Sequence, residues 1–177
     1  MVETQMNAAP SSPVVAVLSE PMMALVRQQR LGFVASVAAD GSPNVSPKGS
    51  LTVWDDHHLI FADVDSPHTV RNLKVNPRTE VNVVDPFSRK GYRFAGKATV
   101  FHAGPLYFQA LDRYKAEGAD IRRVRAVVLI EVLHAAPLVS PAYASGFSEE
   151  EVRRLWEEYH SKSANKTVLD LTPPSDF

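Results

Sequence analysis

Short runs of alternating apolar and polar residues occupy much of the chain, and tight-turn sequences separate them. The first run spans 31–39 and ends at Asp40-Gly41, a dipeptide typical of a hairpin turn. Further extended runs cover 44–54, 59–64, 80–84, 92–102 and 126–133. Because turns this short can join only antiparallel neighbours, the pattern predicts about six strands in an antiparallel sheet.

Helix signals flank and interrupt these strands. Ser19 and Ser66 each stand just before a first turn that contains proline, so both are predicted N-caps. A third helix is predicted to start at Gly104-Pro105, and a fourth at Ser148, where three glutamates fill the first turn. Antiparallel strands with helices outside them favour a closed or partly closed β-barrel over a doubly wound parallel fold.

The chain length of 177 residues indicates one domain with tails. We predict a flexible leader over 1–18, one domain over 19–160 that includes a C-terminal helix, and a tail over 161–177. Pro47 and Gly49 interrupt the second extended run, because proline cannot donate a ladder hydrogen bond and glycine marks irregular strands. We therefore expect that strand to be irregular or at a sheet edge.

Charge and composition argue against nucleic acids, membranes and metal ions as binding partners. The formal net charge of −1 gives no global field that would recruit nucleic acid or an anionic membrane. The apolar stretch at 14–18 is far shorter than the roughly 20 residues that span a bilayer. The chain has no cysteine, and its six histidines lack a metal-ligand spacing with nearby acids, so no metal site is predicted. We expect a cytoplasmic protein without nucleic-acid or membrane partners.

Three motifs between positions 47 and 98 keep their mutual spacing without gaps. They are Leu59-Ile60-Phe61 at the end of a strand, the run NLKVNPR at 72–78, and Gly96-Lys97-Ala98. In these motifs the chain resembles the pyridoxamine 5′-phosphate oxidase-like FMN-binding family. The resemblance implies a mainly β fold with flanking helices: a six-stranded antiparallel split β-barrel. It also implies a homodimer with FMN at the subunit interface, and an oxidoreductase acting on an unidentified small organic substrate.

The resemblance further implies a set of cofactor-binding positions. One strand would follow the isoalloxazine edge, the next strand's end would lie near the ring or ribityl chain, and a helix start would face the phosphate. A segment of the other subunit would close the site. In that order the implied positions are Lys48, Gly49 and Ser50; Ala62 and Asp63; Ser66, His68 and Thr69; and Gly91 and Tyr92. A helix N-terminus presents unpaired N–H groups to an anion, which agrees with this placement.

Two departures from the family pattern leave alternatives open. His68-Thr69 stands where the oxidase members carry an Arg-Lys pair. The substrate-binding Trp, Arg and His motif of those oxidases has no C-terminal counterpart, so pyridoxamine phosphate oxidation is not predicted. The alternatives are a non-catalytic flavin-binding, ligand-binding or sensor dimer, and a relative that uses the deazaflavin F420 or haem instead of FMN. No catalytic side chain is identified, since a flavin would carry the redox chemistry itself.

Overall fold

The computed structural model describes residues 17–164, and strands dominate its backbone. Within these residues four α-helices and seven strands follow one another in the order α1 (Glu20–Gln29), β1 (Gly32–Val37), β2 (Pro43–Lys48), β3 (Thr52–Val53), β4 (His58–Asp63), α2 (Pro67–Val75), β5 (Arg78–Asp85), β6 (Lys90–Phe101), α3 (Pro105–Ala116), β7 (Ala126–Val139) and α4 (Glu149–Ala164). Short 3-10 turns at Ile121–Arg123 and Pro141–Ser145 flank β7.

All seven strands form one sheet in the order β2-β1-β5-β6-β7-β4-β3. Every pairing in it is antiparallel, as the turn pattern predicted. The predicted number of six strands is wrong. The run at 44–54 is not one strand but two, because the chain turns at 49–51 and β2 and β3 lie at opposite edges of the sheet. The prediction that the segment with Pro47 lies at an edge is confirmed.

The connection between β2 and β3 shows why the sheet is curled. Only four Cα–Cα steps separate Lys48 from Thr52, so these ends of the two edge strands are no more than about 15 Å apart. An open flat sheet of seven strands would hold its edges much farther apart. Ser50, in the turn that follows β2, ties this edge to β4, the strand next to the other edge, because its hydroxyl is hydrogen bonded to both the carbonyl and the N–H of Ala62, at 3.1 and 3.0 Å.

Two apolar clusters pack on the two faces of this curled sheet. The larger one fills the concave side, where β strands meet residues of α1 and α2; its bulky members include Phe61, Phe94, Leu51, Leu59, Ile130 and Leu73. The smaller one lies on the outer face under α3, where Ala110 and Tyr114 contact Ile60, Ala62 and Val127. The outer face of the remaining strands has no helix over it among the described residues.

The helix ends follow the predicted caps in position but not always in bonding. Ser148 and Glu151 form a reciprocal capping box, in which the Glu151 N–H donates to the serine hydroxyl at 3.2 Å. Ser19 and Ser66 stand at the N-cap positions of α1 and α2, yet neither side chain makes a capping hydrogen bond. The Ser66 hydroxyl instead accepts a hydrogen bond from the ammonium of Lys48.

The predicted leader and tail are described only in part. Residues 1–16 and 165–177, which include most of both segments, lie outside the described residues, and α4 runs to Ala164. Within 17–164, none of the helices combines the length and the apolar character that crossing a membrane requires.

Candidate functional site

A buried lysine at the end of β2 is the centre of the candidate site. Lys48 is 4% exposed, and its ammonium donates to the hydroxyls of Ser46 and Ser66 at 2.6 and 2.7 Å. It also lies 5.5 Å from the centre of the Phe61 ring. Among residues 17–164 no carboxylate oxygen comes within 4.0 Å of this nitrogen. The ammonium has three donors and two protein acceptors, so one N–H is left for a ligand.

The electrostatics of Lys48 agree with its burial. Removal from water lowers the pKa of Lys48 below its ordinary value, and the negative charge of Asp63 opposes that shift only in part. Asp63 is itself 4% exposed, and its carboxylate accepts the Ser66 N–H at 2.8 Å. The acid therefore fixes the loop that precedes α2 and supports Ser66, the residue that bonds Lys48.

The turn that follows Lys48 is fixed on both sides. Tyr114 of α3 donates its hydroxyl to the Ser50 carbonyl at 3.1 Å, and burial raises the pKa of that tyrosine well above its usual range. The Ser50 hydroxyl is fully used by Ala62. By contrast, the N–H groups of Gly49 and Ser50 have no acceptor within residues 17–164. A Cβ at Gly49 would meet nothing within 4 Å, so the space beside this backbone is open.

The first turn of α2 faces the same region. Pro67 lacks an N–H, and the N–H groups of His68 and Thr69 find no acceptor in the described part of the chain, since the first helical bond runs from Val70 to Ser66. The His68 ring lies 2.7 Å from a guanidinium nitrogen of Arg71, which places a positive charge on this turn. A cleft of about 440 Å³ runs beside these residues, between α2 and the β1–β2 hairpin.

Thr69 points the other way, into a buried polar cluster that sequence reasoning missed. Its hydroxyl approaches the side-chain oxygen of Asn44 at 3.4 Å, which Ser36 also approaches at 3.4 Å, and Asn72 donates to Ser36 at 3.3 Å. The sequence could have indicated this cluster, because positions 44 and 46 alternate along one strand with Lys48 and therefore share a face with it. The same alternation identifies Ser46.

Gly91 and Tyr92 do not join this group within one chain. They lie in β6, which is three strands from β2 in the sheet, or about 14 Å at about 4.8 Å per strand. Tyr92 packs beside Phe94, with their ring centres 6.2 Å apart. A Cβ at Gly91 would collide with the carbonyl oxygen of Val83, so strand packing alone requires glycine there.

Together these residues form a cluster of hydrogen-bond donors of the kind that suits an anion. A buried ammonium, a serine hydroxyl that accepts from it, two helix N–H groups without an acceptor among the described residues and a guanidinium beside the same helix turn make up this cluster. Within 17–164 no three side chains of His, Asp or Glu come together in a way that could hold a metal ion. The donor set suits a phosphate group.

The chain matches a known protein family and several solved structures. The curled antiparallel sheet is consistent with a split barrel, and it superposes on three solved structures of relatives. The family model for pyridoxamine 5′-phosphate oxidase matches residues 18–136. The chain therefore belongs to the pyridoxamine 5′-phosphate oxidase family. No curated protein matches it at a significant level.

Three solved structures illustrate the likeness. HupZ of Group A Streptococcus is 32% identical, with a TM-score of 0.63 over 70% of this chain and 95% of that one. An F420 reductase is 23% identical, with a TM-score of 0.52 over 67% of this chain and 98% of that one. An FMN-binding protein from Syntrophomonas wolfei is 14% identical, with a TM-score of 0.57 over 68% of this chain and 86% of that one. The last two show the fold alone.

Proposed function

We propose that this protein binds FMN and holds its phosphate at Lys48. The observation that carries the proposal is the buried ammonium, which has two hydroxyl acceptors and no carboxylate within 4.0 Å among residues 17–164. A buried charge without a counter-ion is unfavourable unless a ligand supplies one. A phosphate would supply it, and Ser66 together with the N–H groups of His68 and Thr69 would complete its hydrogen bonds.

The rest of the proposed site follows from the open backbone next to Lys48. The free N–H groups of Gly49 and Ser50 would donate to the polar edge of the isoalloxazine ring, and the end of β4 at Ala62 and Asp63 would lie near the ring or ribityl chain. Asp63 would act by positioning Ser66, since its carboxylate is already engaged there.

The proposed assembly is a homodimer with FMN at the subunit interface. Gly91 and Tyr92 are three strands away from Lys48 in the same chain, so we expect them to close the site from a second copy. The domain over 19–160 would form this unit, with the leader and tail outside it.

The proposed activity is that of an FMN-dependent oxidoreductase with a small organic substrate. When bound, the flavin supplies the electron transfer, and the chain's own residues bind it, orient it and exclude water. The alternative is a flavin carrier or sensor without catalysis. It is favoured by one observation: Thr69, at one of the positions where oxidases have a basic residue, turns into the polar cluster with Asn44 rather than toward a phosphate.

The experiment compares FMN with riboflavin, which lacks the phosphate. Flavin-free protein should bind FMN about 10- to 100-fold more tightly than riboflavin, as expected for a charge-assisted hydrogen bond of about 1.5–3 kcal/mol. Lys48→Met should remove that difference and leave riboflavin affinity unchanged, whereas Lys115→Met, at an exposed lysine of α3, should change neither. Quenching of flavin fluorescence measures both constants.

Other outcomes separate the alternatives. Equal binding of FMN and riboflavin would reject the phosphate site. Binding of F420 or haem in place of FMN would assign the fold to another cofactor. Bound FMN that a nicotinamide donor reduces would support an enzyme, while bound FMN that no donor reduces would support a carrier.

A further inference from the structure

The β2–β3 turn (residues 48–51) is held in place at several atoms, yet it keeps two free donors. Its last residue, Leu51, is 2% exposed in the concave core, and the Leu51 N–H closes the turn on the Lys48 carbonyl at 3.3 Å. The Ser50 hydroxyl is held by β4. In the described part of the chain, the N–H groups of Gly49 and Ser50 find no acceptor. A rigid turn with free donors is preorganised for a ligand, because binding costs it little conformational entropy.

A tyrosine of α3 contributes a further anchor to this turn. Ala110 and Tyr114 are the buried residues of α3 and lie one helical turn apart, so packing against β4 and β7 fixes the tyrosine ring. Its hydroxyl donates to the Ser50 carbonyl at 3.1 Å. Burial raises the pKa of Tyr114, so the hydroxyl keeps its proton and remains a donor. A helix on the outer face of the sheet thereby fixes a turn at the sheet edge.

The hydrogen bonds of the turn form a continuous series, the turn relay, which starts at Tyr114 and ends at Gly49. The Ser50 carbonyl, which accepts from the tyrosine, belongs to the same peptide group as the Leu51 N–H. The Lys48 carbonyl accepts from that N–H and belongs to the same peptide group as the Gly49 N–H. Hydrogen bonds in series polarise one another, by about 10–30% per bond. The Gly49 N–H is therefore a stronger donor than an isolated peptide N–H.

We propose that Tyr114 is a positioning residue for the flavin ring, acting through the turn relay to hold and polarise the Gly49 N–H. The inference rests on the proposed function, because the ligand of that N–H is the polar edge of the ring assigned above. Loss of the tyrosine hydroxyl would release the Ser50 carbonyl, loosen the turn and weaken the donor at the other end of the relay. The effect falls on the ring and not on the phosphate, since other residues hold the Lys48 ammonium.

The first test uses flavin-free protein and amide NMR. Tyr114→Phe should move the amide proton resonances of Gly49 and Leu51 upfield, because both peptide groups of the turn relay lose polarisation. Tyr107→Phe is the matched control, since it removes a hydroxyl of the same helix that donates to the Val124 carbonyl at 3.3 Å, outside the turn. This control should leave both resonances in place. Unchanged resonances in Tyr114→Phe, or equal changes in the two variants, would overturn the turn relay.

The second test compares FMN with riboflavin. Tyr114→Phe should lower both affinities by the same factor, about three- to tenfold, which corresponds to the net contribution of one neutral hydrogen bond. The ratio of the two affinities should stay at its wild-type value, in contrast to Lys48→Met, which should abolish it. Tyr107→Phe should change neither affinity. Unchanged affinities in Tyr114→Phe, a loss confined to FMN, or an equal loss in both tyrosine variants would overturn the proposal.

The reduction potential of bound FMN is a readout that a merely structural role would not move. Reduced flavin carries more negative charge on its polar edge than oxidised flavin, so a polarised N–H stabilises the reduced form more. Tyr114→Phe should therefore shift the potential to more negative values, and Tyr107→Phe should not. An unchanged potential in Tyr114→Phe would overturn the polarisation. Wild-type protein that binds no flavin would reject the proposed function, and the amide resonances would still decide on the turn relay.

Discussion

Two buried charged side chains, Asp85 and Lys48, differ in whether they contact a group of opposite charge. Asp85, at the end of β5, accepts a bond from Arg153 of α4 at 2.6 Å and from the Phe87 N–H at 2.9 Å. Arg153 is also bonded to Glu149, which in turn bonds Lys90 at 2.8 Å. Every charge in this network has a partner of opposite sign. Lys48, equally buried, has only hydroxyls.

The pKa shifts of Asp85 and Lys48 differ for the same reason. Burial alone would raise the pKa of Asp85, but the hydrogen bonds from Phe87, Ser88 and Arg153 outweigh it and hold the pKa below its ordinary value. For Lys48, burial lowers the pKa and Asp63 only partly compensates. The fold stabilises the charged form of Asp85 and disfavours that of Lys48. The first arrangement holds α4 on the sheet, and the second is suited to receiving an anion.

The largest expected loss of stability follows from removing Asp85, the buried charge that has partners. Asp85→Ala should lower the free energy of unfolding by about 2 kcal/mol, since it leaves the partly buried Phe87 N–H without its acceptor and breaks an ion pair whose arginine is 39% exposed and keeps Glu149. Glu80→Ala, which breaks a pair between half-exposed side chains at 3.5 Å, should cost less than about 1 kcal/mol. Urea unfolding at pH 7 measures both.

The pH dependence sharpens this prediction. Because the folded-state pKa of Asp85 is depressed, its contribution is present above the unfolded value of about 3.9 and is lost as the pH falls through the lower folded value. The gap between wild type and Asp85→Ala should therefore close at pH values below about 4. A gap that persists there would show that the loss is one of packing and not of charge.

Much of the fold could be predicted from local pattern. Turn dipeptides and alternation predict antiparallel strands, and Pro47 predicts an edge strand. The strand count failed because nothing local distinguishes one irregular strand from two strands at opposite edges. That distinction depends on the curl of the sheet, which brings Lys48 and Thr52 together across the edges.

The site was predictable as a set of positions but not as an arrangement. The resemblance identified Lys48 and Ser66, yet their contact joins residues 18 apart and exists only in the curled sheet. Ser66 was predicted as a helix cap, and its hydroxyl bonds the lysine instead, because a charged donor is the stronger partner.

Removing Lys48, the buried charge without a carboxylate partner, should change the stability less. Lys48→Met should leave the free energy of unfolding of flavin-free protein within about 1 kcal/mol of wild type, because replacing a poorly paired buried charge by an apolar chain is often neutral or stabilising. Its folded pKa is depressed, so the unfolded chain binds more protons between that pKa and 10.5. Wild-type stability should rise with pH across that window, and the variant should lack this rise.

A large loss of stability in Lys48→Met at pH 7 would contradict the comparison, since it would make the lysine a structural residue like Asp85. The affinity for FMN should change with pH in the opposite direction from the stability. In wild type it should fall across the same window, as the ammonium that binds phosphate loses its proton.

The smallest expected effect concerns the acceptor that holds the lysine in place. Ser46→Ala removes one of the two hydroxyls on the Lys48 ammonium and leaves its charge intact. FMN affinity should fall by about fivefold, which corresponds to about 1 kcal/mol, while riboflavin affinity stays constant. Ser42→Ala is the matched control on the same hairpin, where the hydroxyl bonds Asp40 at 2.6 Å in the exposed turn, and it should change neither constant. A loss in Ser46→Ala as large as that in Lys48→Met would mean that the lysine cannot reach the phosphate without this serine, and that positioning by Ser46 matters as much as the charge it holds.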